Sequence, residues 1–125
     1  MMVKFSHPPI GTPFQYGGRG PDFFDCYGLV MAIHQAQGIT LPDYQSPEDQ
    51  AVIAAMIATQ LPLWQEVPCG PGAVVLLRIA SLGSHCGYML NDSDMIHTLE
   101  KTGGVAIQRI DSWQRRILGF YKYVG

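Results

Sequence analysis

The sequence predicts an α+β fold, with N-terminal helices packed on one side of a central antiparallel β-sheet. Three observations carry that expectation. Apolar residues at helical spacing are confined to the first half of the chain, at residues 23–37 and 50–59. From residue 73 onward, short β-rich segments alternate with turns built from Gly, Asn, Asp and Ser. Helices followed by a meander point to an α+β unit and not to a parallel α/β sheet. The 125 residues are 47% hydrophobic and only 14% charged, enough apolar material for one core, and no internal repeat divides them. A single domain over residues 1–125 is expected.

Each element has its own local reason. Residues 8–22 are rich in Gly and Pro and read as an ordered loop. Phe24, Leu29, Ile33 and Ala36 then fall at helical spacing, with Gly38 as the stop and Asp25 placed to cap the first turn. Residues 41–44 break that pattern. A second helix is signalled by Ser46 as N-cap, Pro47 at the first helical position and Glu48 and Asp49 in the first turn, with a body from Gln50 to about Thr59. Residues 64–67 suit a short strand. A strand is expected at residues 73–79, whose unbroken apolar run from Ala73 to Leu77 suits burial on both faces. Further strands are expected at 86–90, 95–99, 105–110 and 118–124.

Composition excludes several functions. Net charge is −2 and no basic run could track a phosphate backbone, so nucleic acid is not an expected partner. No apolar run is long enough to span a bilayer. The segment Met-Met-Val-Lys-Phe-Ser-His-Pro-Pro lacks the apolar stretch and cleavage site of an export signal, so cytoplasmic synthesis without a signal peptide is expected. Three cysteines, Cys26, Cys69 and Cys86, are an odd number at irregular spacing, which is no disulfide framework and leaves at least one free thiol. No cofactor is expected.

The candidate chemistry lies in Cys26, His85 and His97. Cys26 falls in the first turn of the first helix, where unpaired N–H groups and the helix dipole favour a thiolate and could hold an oxyanion. His85 opens a strand and could take the thiol proton and return it to a leaving amine, while His97, one strand later, could orient the His85 ring. The hairpin register decides whether they meet. If it centres on Asn91, His85 and His97 are directly opposed. If it centres near Ser93, His97 lies opposite residue 88 or 89, roughly 10–13 Å along the strand at about 3.3 Å per residue.

Plainer readings compete. A buried cysteine in a first helical turn is more often inert packing than a nucleophile. Cys26, His85, Cys86 and His97 could form a zinc site, but no paired C-x-x-C or H-x-x-x-H spacing supports one, and His85 and Cys86 should point to opposite faces of a strand. His7 and His34 read as bystanders and Cys69 as a loop residue. Arg19, Asp22, Arg115 and Arg116 read as surface charges, with Arg19 close enough to the cysteine to meet an anionic substrate.

The segment Gly17-Gly18 through Asp25-Cys26-Tyr27-Gly28-Leu29-Val30 resembles the nucleophile motif of the NlpC/P60 peptidases. Ser84-His85-Cys86-Gly87-Tyr88-Met89-Leu90 and Met95-Ile96-His97-Thr98 resemble the family's two later motifs, and the resemblance runs from about Gly11 to Tyr123. Residues 38–44 and 116–121 look like the branch found in phage tails. The resemblance implies a papain-like NlpC/P60 fold and a Cys26–His85–His97 site. It also implies hydrolysis of amide bonds in peptidoglycan stem peptides, with phage tail proteins as partners and delivery to the wall by the particle. Two alternatives remain: a non-catalytic tail-assembly protein that keeps the fold, and a thiol-dependent acyltransferase or amidase. The chain departs from the family at Phe14, where many members have a tyrosine, at Ala73, where an Asp is usual, and at Cys86, where Val is common and the exchange reads as neutral in a core. Tyr16 stands where a Trp or Leu is usual.

Overall fold

Asp25 begins the architecture by ending the N-terminal loop. Its backbone is extended and its carboxylate accepts from the Gly28 N–H, so the helix α1 starts one residue later, at Cys26–Gln35. Residues 23 and 24, expected inside the helix, precede that cap; Phe24 instead forms isolated bridges with Phe14 and Arg19. The computed structural model describes residues 6–43, 63–79 and 84–125. The helix expected at 46–59 lies outside the described residues. Strands β1 (Trp64–Glu66), β2 (Val74–Arg78), β3 (Ser84–Met89), β4 (Asp94–Leu99) and β5 (Gly104–Arg109) follow, then a 3-10 helix at Ile110–Arg116 and β6 (Ile117–Tyr123). The 3-10 helix was not expected; it occupies the residues between the last two predicted strands.

The strands form one six-stranded sheet in the order β1-β6-β2-β3-β4-β5, every described pairing antiparallel. The α+β expectation is therefore met: α1 lies on one face of an antiparallel sheet. Side chains alternate between faces along each strand. Val74, Leu76, Cys86, Tyr88, Ile96 and Val105 pack with Cys26, Tyr27, Leu29, Val30 and Ile33 of α1. Ala73, Val75, Leu77, Met89 and Met95 pack with Ile110 of the 3-10 helix and the partly buried Trp113, Ile117 and Phe120. Val74 through Leu77 are all buried, as their unbroken apolar run requires. Each such aliphatic side chain contributes about 1.5–3 kcal/mol on burial.

The β3–β4 hairpin takes neither register considered from the sequence. Asn91 Oδ1 accepts from the Ser93 and Asp94 N–H groups at 2.8 Å each, and the Leu90 N–H donates to the Asp94 carbonyl at 2.9 Å. This side-chain turn centres the hairpin on Asp92 and pairs Tyr88 with Ile96 and Met89 with Met95. His97 consequently lies across from Gly87, on the face that His85 shares, two positions along the strand. That is a diagonal pair, close enough for long side chains to meet. Gly87 makes the room: a Cβ there would stand 2.6 Å from the Met95 sulfur and 3.3 Å from the His97 Cβ. Gly28 has a similar role in α1, where a Cβ would collide with the Gly18 carbonyl oxygen. The helix and the Gly17-Gly18 loop can therefore approach only through a glycine.

Candidate active site

The loop before α1 is organised around one carboxylate. Asp25, 2% exposed, accepts from Gly28 N at 2.6 Å, from Arg19 Nη1 at 2.8 Å and from Gly17 N at 3.1 Å. A buried anion needs such donors, and three of them fix the start of the helix. Arg19 also donates to Asp43 at 3.0 Å. The expectation of a surface charge fails for Arg19: its side chain is only 24% exposed and already holds two carboxylates. Burial alone would lower its pKa, but the Asp43 and Asp25 carboxylates outweigh burial and hold it above its ordinary value. Asp22, Arg115 and Arg116 are exposed, as expected.

The structure brings Cys26, His85 and His97 together at the junction of α1 with β3 and β4. All three are buried, at 2%, 1% and 0% exposure. His85 Nε2 and His97 Nδ1 are 2.8 Å apart. His97 Nε2 is in turn 2.8 Å from Gln108 Oε1 of β5, and that oxygen accepts from Trp113 Nε1 of the 3-10 helix at 3.0 Å. The Trp113 ring packs against both imidazoles, with centroids 5.9 Å from His85 and 5.5 Å from His97. Sequence reading missed Gln108 and Trp113. Gln108 sits in an ordinary alternating strand and Trp113 in an unpredicted 3-10 turn, so neither carried a local signal. Burial lowers the His97 pKa to about 4, helped by its neighbour His85 and opposed by the Gln108 hydrogen bond, so this imidazole is neutral at pH 7.

Two side chains act on the Cys26 thiol. The neighbouring Cys86 thiol has the largest effect and lowers its pKa; burial opposes it, and the His85 imidazole lowers it further. The net effect lowers the Cys26 pKa well below that of an ordinary thiol. The same contact raises Cys86, which burial raises further. Of the two buried thiols, ionisation belongs to Cys26, which has the helix N-terminus and the imidazole, while Cys86 keeps its proton and donates. Cys86, read from the sequence as a neutral exchange for Val, thus bears directly on the thiolate. It faces the α1 layer and His85 the Trp113 side, as the strand alternation required.

The other marked residues fall outside this cluster. His34 is buried in α1 with Nδ1 2.8 Å from the Val30 carbonyl and packs edge-on to Tyr88, and burial lowers its pKa. His7 Nδ1 lies 2.7 Å from the adjacent Pro8 carbonyl oxygen. Cys69 is exposed and its pKa is raised, chiefly by partial burial and then by Asp92. Phe14 is half-buried and meets the exposed Tyr16 edge-on at 5.0 Å. Among the described residues, no group of three or more His, Cys, Asp or Glu side chains is arranged to hold a metal ion.

The chain belongs to the NlpC/P60 family, whose sequence profile matches residues 11–122. It is 35% identical over 107 residues to a protein of Mycobacterium tuberculosis named "Probable endopeptidase", covering 86% of this chain and 24% of that one. It is 27% identical over 113 residues to "Probable endopeptidase p60" of Listeria seeligeri, covering 89% and 20%. The chain thus spans about a fifth to a quarter of the length of these curated relatives. Among solved structures, the fold is shared with NlpC2 of Trichomonas vaginalis at a TM-score of 0.69 and 19% identity, covering 91% of this chain and 42% of that one. It is also shared with the NlpC/p60 domain of the peptidoglycan hydrolase SagA, at a TM-score of 0.60 and 20% identity, covering 92% and 89%. These likenesses establish the papain-like NlpC/P60 fold.

Two outcomes follow from the electrostatics. His97 has a folded pKa of about 4 against an ordinary 6.5, so the unfolded chain binds its proton first as pH falls. Stability is full above pH 6.5 and declines down to about pH 4, by on the order of 3 kcal/mol from this group. Urea unfolding across that window should show the decline, and His97→Asn should flatten it. Removing the Cys86 donor by Cys86→Val should raise the pH midpoint of Cys26 alkylation by about one unit, as the loss of one hydrogen bond to a charged group predicts. An unmoved midpoint would show that Cys86 does not support the thiolate.

Proposed function

We propose that this NlpC/P60 family member is a cysteine peptidase that hydrolyses amide bonds in peptidoglycan stem peptides, with Cys26 as nucleophile, His85 as general base and acid, and His97 as the orienting residue. The observation that carries the reading is the convergence of a thiol of lowered pKa with a linked pair of buried imidazoles. An isolated packing cysteine has no use for either.

The chemistry follows from the placement. His85 Nδ1 takes the thiol proton, and the sulfur attacks the scissile carbonyl carbon. The oxyanion lies near the N-terminal turn of α1, whose dipole favours it, although the Gly28 N–H there is already given to Asp25. Collapse breaks the C–N bond as His85 returns the proton to the leaving amine, leaving a thioester on Cys26. Water, deprotonated by His85, then attacks the thioester and frees the thiol. His97 holds the ring of His85 through both steps. The wall substrate is supported by family membership and by the named relatives. The resemblance of residues 38–44 and 116–121 to the tail-associated branch supports a place in a phage or prophage tail. In that setting the protein is made in the cytoplasm and carried to the wall by the particle.

Hydrolysis of purified stem peptides by the wild type, abolished by Cys26→Ala and reduced by His85→Ala by at least about 1,000-fold, is the expected result. Equal hydrolysis by Cys26→Ala would end the assignment. A folded wild type without activity would favour the non-catalytic reading, to which Phe14 lends its missing hydroxyl. The tail setting would be lost if purified tail particles lacked the chain.

A further inference from the structure

The geometry points to Gln108 and Trp113 as positioning residues that set which ring nitrogen carries the hydrogen on each of the two histidines. The inference rests on the reading of His85 as the base and extends it to residues that touch neither thiol nor substrate.

Each step is forced by its neighbour. An indole N–H can only donate. The Gln108 atom 3.0 Å from Trp113 Nε1 is therefore the amide oxygen, and the NH2 group points elsewhere. The same oxygen is 2.8 Å from His97 Nε2, so that nitrogen must carry a hydrogen. In the neutral His97 ring the other nitrogen, Nδ1, is then a bare lone pair. It lies 2.8 Å from His85 Nε2, which must donate to it. A neutral His85 with its hydrogen on Nε2 has a bare Nδ1. That atom is buried and has no hydrogen-bond partner within the described structure. It is the atom a base needs free. The fixed polarity of one indole is thus handed through an amide and two imidazoles to the side of the cluster where Cys26 lies.

The donor at the start of this chain is itself held in place. The Trp113 ring packs on both imidazoles, and the Arg116 guanidinium lies 5.4 Å from the indole centroid. Without the indole N–H, the Gln108 amide is free to turn and offer NH2 to His97 Nε2. His97 would then carry its hydrogen on Nδ1 and donate to His85 Nε2. The His85 hydrogen would move to Nδ1, where it blocks acceptance of the thiol proton.

The test is 15N NMR of the histidine side chains in the full chain at pH 7.5, paired with the rate of iodoacetamide alkylation at Cys26. In the wild type both His85 and His97 should carry hydrogen on Nε2. Trp113→Phe, which keeps an aromatic ring but removes the donor, should move a substantial share of His85 to the Nδ1–H form and slow alkylation tenfold or more. Gln108→Leu should do the same. A wild-type His85 with hydrogen on Nδ1 and none on Nε2 would overturn the inference, whatever the variants do. So would two folded variants that keep the wild-type hydrogen pattern and rate. The NMR readout needs no substrate. A chain that shows the expected pattern and its loss on substitution, yet cleaves no stem peptide, would fail as a wall peptidase while this inference stands.

Discussion

The site depends first on a turn that contains none of its residues. Asn91 gathers the Ser93 and Asp94 amides onto one side-chain oxygen and thereby centres the β3–β4 hairpin on Asp92. Moving that centre by half a position would turn one strand's side chains to the other face, and His97 would leave the face of His85. With the centre at Asp92 the two histidines are diagonal, and the sheet needs a gap between them for their rings to meet. Gly87 is that gap. A turn residue and a glycine with no chemistry of their own therefore position the 2.8 Å contact between the imidazoles.

The second dependence is electrostatic and involves a compromise. Asp25 caps α1 with a carboxylate one residue from Cys26, and that charge disfavours a thiolate there. Arg19 and two backbone N–H groups absorb much of that charge, which is why the loop from Gly17 to Arg19 folds back onto the helix start. Burial of Cys26 is a further cost to the anion. Cys86 and His85 supply what offsets both. An anion in a low-dielectric setting gains more from each donor than it would in water. The site therefore achieves a low thiol pKa through local partners and not through exposure to solvent.

Much of this was legible in the chain and some was not. The cap, the helix, the doubly buried β2 and the meander follow from patterns local to a few residues, and they appear where those patterns lie. Cys26 and His85 could be picked out because reactive residue types stood at element ends, and His97 because a second imidazole followed one strand later. The register was not legible, because two plausible turn residues, Asn91 and Ser93, stand close together and only side-chain geometry chooses between them. The result was a third pairing. Arg19 looked free because its partners, Asp25 and Asp43, are six and twenty-four residues away. Gln108 and Trp113 carried no signal, since an amide on a strand and an indole on a short helix acquire meaning only from what packs beside them. Cys86 looked like a neutral replacement for Val because its value lies in its effect on one distant sulfur.

A histidine in the orienting position proposed for His97 raises a problem that a carboxylate would not. An Asp in that place accepts only, so it fixes the hydrogen of the base by itself. A neutral imidazole donates from one nitrogen and accepts at the other, and nothing internal to the ring decides which. Two linked imidazoles therefore have two self-consistent hydrogen patterns, one leaving a lone pair toward Cys26 and one closing it off. The choice must come from a group with a single polarity at the far end. A second amide could not supply it, because an amide can turn. An indole N–H can, and Trp113 occupies that end, with Gln108 converting its donor into the acceptor that His97 meets. Burial keeps His97 neutral, so the ring retains one bare nitrogen and the chain of polarity is not broken by a second proton. The pairing of Cys26 with two histidines thus entails the residues behind them, and the site is better counted from the indole inward than from the thiol outward.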